Sequence, residues 1–228
     1  MGRTKLSILI PAYNEEKTIV EILRRVIASD TRPFEKEILV IDNNSTDRTA
    51  ALAHSVPGVR VLTEKRPGKG EAIARGLCEA TGELVLFQDA DLEYDPADIK
   101  NLLEVIHSGA ADVVYGSRNL SPATRRGALI PRIGVWCITK LINTLYGLRL
   151  TDVWTCYKLF PRTAAGAFAA GGFESELLFT AALARAGRRF AEVPISYAPR
   201  DVSEGKKIRY RDGMLAIRAI VLDWVRHF

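Results

Sequence analysis

The chain has 228 residues, enough for one sizeable domain with a core of its own and no need of disulfide staples. With 47% apolar, 26% charged and 8% aromatic residues, the composition excludes disordered, collagen-like and disulfide-rich classes. Thirty-two basic against 27 acidic residues leave a formal charge of +5, which matters only where it is concentrated on one face.

Through the first half, short β-rich runs at 6–11, 37–41, 59–62, 84–87 and 112–115 alternate with segments of helical period. The first helical segment sets Ile19, Ile22, Leu23, Val26 and Ile27 on one face, with Asn14 placed to cap it. Strands alternating with helices predict an α/β fold, a mostly parallel central sheet flanked by helices. Ligands of such sheets bind beyond the carboxyl ends of the strands. Polar loops follow three of these runs: Tyr13-Asn14-Glu15-Glu16, the 42–47 stretch Asp-Asn-Asn-Ser-Thr-Asp, and Gln88-Asp89-Ala90-Asp91. All three are expected at one sheet edge.

From Gly116 the character changes. An arginine-bearing loop leads to a long apolar helix around 130–146, strand-like runs at 153–160 and 190–197, and a final helix from Gly213. That last helix carries Met214, Ile217, Val221 and Trp224 in one stripe. A single domain is expected, with residues 1–115 as a ligand-binding half and 116–228 as a second, acceptor-side half. The three cysteines, Cys78, Cys137 and Cys156, form no C-x-x-C pair and read as buried thiols in a reducing, cytoplasmic compartment. No run of about 18 uncharged apolar residues occurs; the nearest, 128–147, is broken by Arg132 and Lys140. The expectation is a chain that does not span a membrane.

Asp89 and Asp91, one residue apart after an apolar run, can share a divalent cation with phosphate oxygens, since hard cations choose oxygen ligands. The plainer reading is that they end the strand while Asp95-Pro96 caps the next helix. Asp42, at another strand end, is placed for the N–H groups of a nucleobase or for ribose hydroxyls, or serves as an Asx-turn residue. Asn43 and the residues to Thr49 read as loop and cap. Gly68-Lys69-Gly70 fits neither the P-loop nor the dinucleotide fingerprint, and is expected to open a helix near a diphosphate.

These stretches, with Pro11-Ala12-Tyr13-Asn14 and Gln88-Asp89-Ala90-Asp91-Leu92-Glu93, resemble the family 2 glycosyltransferases of the GT-A fold, in their dolichyl-phosphate mannose synthase-like branch. Later landmarks of the resemblance are Tyr115-Gly116-Ser117-Arg118, Thr151-Asp152-Val153-Trp154, Phe173-Glu174-Ser175-Glu176 and Glu192-Val193-Pro194. It implies an enzyme that moves a hexose, mannose or glucose, from a nucleotide-diphosphate sugar such as GDP-mannose or UDP-glucose to a polyprenyl phosphate. It implies that Pro11, Tyr13, Glu15 and Asp42 hold the nucleoside, and that Asp89, Ala90 and Asp91 meet the diphosphate and a Mg²⁺ or Mn²⁺ ion. Glu93, where mannose synthases of this branch often have Gln, is implied near the metal. Arg118 and Arg132 resemble the arginines that receive the lipid phosphate, and Arg200 with Lys206 or Lys207 the basic set that closes over donor and acceptor.

Basic residues do cluster, at Arg118, Arg125, Arg126 and Arg132, and again at Arg200, Lys206, Lys207, Arg209 and Arg211. Arginine forks suit phosphate, and a basic rim suits an anionic bilayer. No RNP-type aromatic pattern accompanies the charge, so nucleic acid is not expected as a partner. A lipid phosphate is already ionised and attacks the anomeric carbon without a general base, inverting it. A hydroxyl acceptor needs a carboxylate to take its proton, with Asp152 first and Glu174 or Glu176 next. The family often appends transmembrane helices and this chain is expected to meet its lipid from the surface. The 130–146 and terminal helices are candidates for that contact, with core packing or a homo-oligomer interface as the other uses of the same faces.

Overall fold

The computed structural model describes residues 4–121, 129–200 and 210–227, with backbone only at 129–131 and 210–212. Among the described residues seven strands form one sheet, in the order β3-β2-β1-β4-β6-β5-β7. They are β1 (Lys5–Ala12), β2 (Glu35–Asp42), β3 (Val59–Thr63), β4 (Leu84–Phe87), β5 (Val113–Ser117), β6 (Lys158–Pro161) and β7 (Phe190–Pro194). The pairs β1–β2, β2–β3, β1–β4 and β5–β7 are parallel, whereas β6 lies antiparallel between β4 and β5. Of the two later strand-like runs, the 158–161 and 190–194 portions form strands of the sheet, and Tyr197 makes an isolated antiparallel bridge with Tyr94.

The helices are α1 (Ile19–Ala28), α2 (Thr49–His54), α3 (Lys69–Glu79), α4 (Ile99–His107), α5 (Leu129–Tyr146), α6 (Ser175–Arg185) and α7 (Tyr210–His227). A sheet covered on both faces needs strands apolar on both sides, and Leu6, Ile8, Leu9, Ile10, Leu39, Val40, Ile41, Val85, Leu86 and Phe87 are all buried. Phe87, Phe160 and Phe179 meet edge-on or tilted, with centroids 4.8–6.3 Å apart, and tie β4 and β6 to α6.

Strand order reverses between β1 and β4: the chain winds outward from β1 to β3, then returns to lay β4 on the other side of β1. A crevice opens at such a reversal beyond the strand ends. Here it falls between the residues after Ala12 and those after Phe87. Two expectations need correction, and an open one is narrowed. Asn14 does not cap α1; it takes a left-handed φ of 50° and its side chain serves another loop. Cys78 and Cys137 are exposed, and only Cys156 is buried. The face of α7 turned inward carries Ala216 and Ile220, while Met214, Ile217 and Val221 are exposed.

Candidate active site

Two of the three loops are sewn together by their own side chains. Asn14 Oδ1 accepts from the Thr46 N–H at 2.8 Å, and the Asn14 N–H donates to Ser45 Oγ at 3.0 Å. The Glu15 N–H donates to Thr49 Oγ1 at 2.7 Å and the Glu16 N–H to Asp47 Oδ2 at 3.2 Å. This lattice leaves Tyr13 exposed at the mouth, and Glu15 buried behind it. Asp42 is buried at the end of β2; Oδ2 accepts from the Ser45 N–H, but Oδ1 has no hydrogen-bond partner among the described residues. A buried carboxylate oxygen without a donor is costly, and a ligand N–H or O–H is the natural remedy. Asn43 is structural: its amide donates to the carbonyls of Glu64 and Arg66 and its oxygen accepts from the Gly68 N–H.

Gly68 opens α3 at φ 133°, and a side chain there or at Gly70 would strike the Gly171 carbonyl at 2.6–2.7 Å. The close approach delivers Lys69 to the end of β4. Its Nζ lies 2.7 Å from Asp89 Oδ1 and 2.9 Å from Glu176 Oε1. Glu176 also pairs with the fully buried Lys158 at 3.2 Å, so Lys158, Glu176, Lys69 and Asp89 form a line of alternating charge. Burial alone would raise the Asp89 carboxyl, but Lys69 outweighs it and holds the group below its ordinary value.

Asp91 stands differently. Burial, then the like charges of Asp89 and Glu93, push its pKa up to about 7 against the pull of Arg200. Arg200 Nη2 is 2.7 Å from Asp91 Oδ2. Leu92 bridges to Glu93 at φ 42°, a conformation that costs a non-glycine residue about 1–2 kcal/mol and is characteristic of functional loops. Glu93, expected near the metal, is turned toward the 197–200 segment: it accepts from Tyr197 Oη at 2.8 Å and from the Arg200 N–H at 2.9 Å. Among the described residues no group of three or more His, Cys, Asp or Glu is arranged to hold a metal. Asp89 and Asp91 remain as a pair of hard oxygen donors, each with one cationic side chain on it, and suit a divalent cation that takes its other ligands from phosphate and water.

Across the sheet, Arg118 follows β5 and Asp152 lies fully buried opposite. The pair is bidentate, Nε to Oδ2 at 2.7 Å and Nη2 to Oδ1 at 2.8 Å, and the Arg118 N–H adds a third bond to Oδ2. Burial would raise Asp152, but the guanidinium prevails and holds it below the ordinary carboxylate range. Glu192 fixes the loop by accepting from the Thr151 and Asp152 N–H groups. Tyr197 lies against the Arg118 guanidinium, 5.1 Å from ring centre to Cζ. The structure thus brings Glu15, Asp89, Asp91, Glu93 and Arg200 together. Ala90 is buried between its aspartates, and Pro11 lies in β1 beside Ile41. Arg132 is exposed on α5. Lys206 and Lys207, with Arg125, Arg126 and Arg209, lie outside the described residues. Sequence reading missed Lys158 and the pairing of Glu176; the available signal was a lysine inside the apolar run Tyr157-Lys158-Leu159-Phe160.

Comparison with known proteins bears on the family and the fold. The model of the family described as Glycosyl transferase family 2 matches residues 7–167. An uncharacterized glycosyltransferase of Mycobacterium tuberculosis is 31% identical over 210 residues, covering 90% of this chain and 91% of that protein. The undecaprenyl-phosphate 4-deoxy-4-formamido-L-arabinose transferase of Klebsiella pneumoniae is 30% identical over 210 residues, 89% of this chain and 62% of the relative. Among solved structures, glucosyl-3-phosphoglycerate synthase of M. tuberculosis, with Mn²⁺, UDP and phosphoglyceric acid bound, superposes with a TM-score of 0.76 at 22% identity, over 97% of this chain and 78% of its own. The same synthase has also been solved with Mg²⁺ and UDP. Its likeness is one of fold, a GT-A fold. By the family model and by its relatives, this chain belongs to glycosyl transferase family 2.

Proposed function

We propose that the chain is an inverting hexosyltransferase that moves mannose or glucose from a nucleotide-diphosphate sugar to a polyprenyl phosphate. The observation that carries this reading is the Arg118–Asp152 pair. The acceptor side presents a fixed guanidinium, and the carboxylates nominated as general base are engaged. Both Asp152 oxygens bind Arg118, both Glu176 oxygens bind lysines, and Glu174 accepts from the Gly172 N–H. A nucleophile that arrives ionised, as a phosphate does, needs no base and is drawn by the cation. Asp152 then acts as the positioning residue for Arg118. The phosphate-lipid names of relatives point the same way.

On the donor side, Asp42 Oδ1 would accept from the nucleobase or ribose, with Tyr13, Glu15 and Pro11 around the nucleoside. Asp89 and Asp91 would hold Mg²⁺ or Mn²⁺, whose charge, when bound, stabilises the departing diphosphate. Lys69 keeps Asp89 ionised and oriented. The chain's own part is alignment of phosphate and diphosphate in line across the sugar.

The lipid is met at the outer face of α7. Met214, Leu215, Ile217, Val221, Leu222 and Val225 are exposed there, Trp136 and Ile133 are exposed on α5, and Arg218, Arg226, Arg132 and Lys140 are exposed beside them. No described helix is long and apolar enough to cross a membrane. An apolar face edged by cations fits an anionic bilayer surface, with the apolar side chains entering the headgroup boundary.

The test is a transfer assay with Mg²⁺ or Mn²⁺, offering GDP-mannose and UDP-glucose separately to a short-chain polyprenyl phosphate. Metal-dependent glycolipid from one donor, absent in Asp91→Ala, is expected. Donor hydrolysis without glycolipid would turn the reading to its alternative, a soluble or saccharide hydroxyl acceptor.

A further inference from the structure

The Arg200 guanidinium lies among three carboxylates from two different loops. Nη2 is 2.7 Å from Asp91 Oδ2 and 3.3 Å from Glu15 Oε1, Nη1 is 3.1 Å from Glu15 Oε2, and Nε is 3.7 Å from Glu93 Oε1. The side chain is 17% exposed, and its buried Nε–H has no hydrogen-bond partner among the described residues. Its backbone is anchored independently. The Ile195 N–H donates to the Ser117 carbonyl, the Ala198 N–H to the Glu93 carbonyl, and the Arg200 N–H to Glu93 Oε1. The guanidinium can therefore swing while the segment that carries it stays in place.

We propose that Arg200 is the resting counter-ion of the metal site: its side chain and the divalent cation compete for the Asp91 carboxylate, so that metal binds well only when a nucleotide diphosphate accompanies it. The inference rests on the reading of Asp89 and Asp91 as metal donors and adds to it an order of binding. Two cations cannot share one carboxylate in a partly buried site without repelling each other, and Asp89 is already matched by Lys69. A metal arriving alone must displace Arg200 and strand it. A diphosphate offers the same planar fork a second bidentate partner, so the guanidinium turns from carboxylate to phosphate and Asp91 is released. Beside Asp89 and Asp91, the phosphate oxygens would supply the further hard donors that such a cation usually takes alongside one or two carboxylates. Coupling of this kind is reciprocal: whatever Arg200 costs the metal, the metal costs Arg200's hold on Asp91.

The experiment is Mn²⁺ binding followed by electron paramagnetic resonance, on the full chain without nucleotide and with UDP or GDP in separate arms. Wild type, Arg200→Gln and the double variant Arg200→Gln/Asp91→Asn are compared. Without nucleotide, Arg200→Gln is expected to bind Mn²⁺ about tenfold more tightly than wild type. The gain disappears in the double variant, and nucleotide tightens Mn²⁺ binding more in wild type than in Arg200→Gln. Mn²⁺ also raises the thermal midpoint of nucleotide-free Arg200→Gln more than that of wild type, a readout independent of turnover. Equal Mn²⁺ affinity in the two proteins without nucleotide, with normal binding once nucleotide is present, overturns the competition and leaves the metal reading standing. Absence of Mn²⁺ binding in every arm overturns both.

Discussion

Asp152 and Arg118 show how a single buried pair separates two chemistries. Taking the carboxylate out of water is repaid only because three N–H donors meet it, and removing one partner of such a pair costs about 3–5 kcal/mol. Asp152→Asn is therefore expected to lower the thermal midpoint and the transfer rate together, while leaving the acidic limb of the pH–rate profile where it is in wild type. A general base would take that limb with it. The folded-state pKa of Asp152 lies below its unfolded value, so its contribution to stability is present above the ordinary carboxylate range and is lost as pH falls through the folded value. Acid melts should accordingly be less steep in Asp152→Asn. Asp91 has the opposite sign. With a pKa raised to about 7, the folded protein holds a proton that the unfolded chain releases near pH 4, so stability is lost as pH rises through that window. Asp91→Asn should abolish transfer yet gain stability, the gain growing between about pH 4 and 7 and level above it. Melts of the metal-free protein across that range would decide; a gain that does not change with pH would sink the idea.

At the scale of elements, the strand–helix alternation of the first half was legible because β1 and β4 are apolar on both faces and a crossover helix such as α1 has one apolar stripe, with Ile19, Ile22, Leu23 and Val26 buried. What periodicity could not reveal was that β6 runs antiparallel between β4 and β5, since a strand's direction depends on where the chain enters the sheet. Nor could it say which side of α7 faces in. The stripe Met214, Ile217, Val221 looks like a core face, but the small Ala216 with Ile220 lets the helix sit on its neighbours, and the large residues point outward. This inversion makes a prediction. Ile217→Glu with Val221→Glu should leave the thermal midpoint nearly unchanged, because exposed substitutions cost within about 0.5 kcal/mol. The same change should abolish co-sedimentation with vesicles of anionic lipid, which in wild type weakens with added salt. Binding insensitive to both lipid charge and salt would remove the bilayer from the reading.

Across the whole molecule, the loops of the candidate site could be found in the sequence because strand ends in an α/β sheet announce themselves, and Asp42, Asp89 and Asp91 each follow an apolar run. The ion pairs that set their charge could not, because Lys69, Lys158 and Glu176 come from α3, β6 and α6 and meet only through the sheet order. That line joins the two halves of the chain beneath the site. Lys158 is its innermost member, fully buried, with Nζ donating to the Thr155 carbonyl and Glu176 and lying 5.1 Å from the centre of the Tyr115 ring. Replacing it with an apolar residue of similar length leaves Glu176 with Lys69 alone and draws Lys69 away from Asp89. Lys158→Met is therefore expected to destabilise by roughly 3–5 kcal/mol, the cost of an uncompensated buried partner. In a chain of this size each kcal/mol moves the midpoint by about 2–4 °C, which makes the loss plain in a melt. The same variant, assayed at a temperature where it is folded, should raise the KM for the nucleotide sugar more than Glu192→Gln does, since only the first line ends on Asp89. A destabilised Lys158→Met with an unchanged donor KM would show that the charges hold the halves together without orienting the diphosphate site.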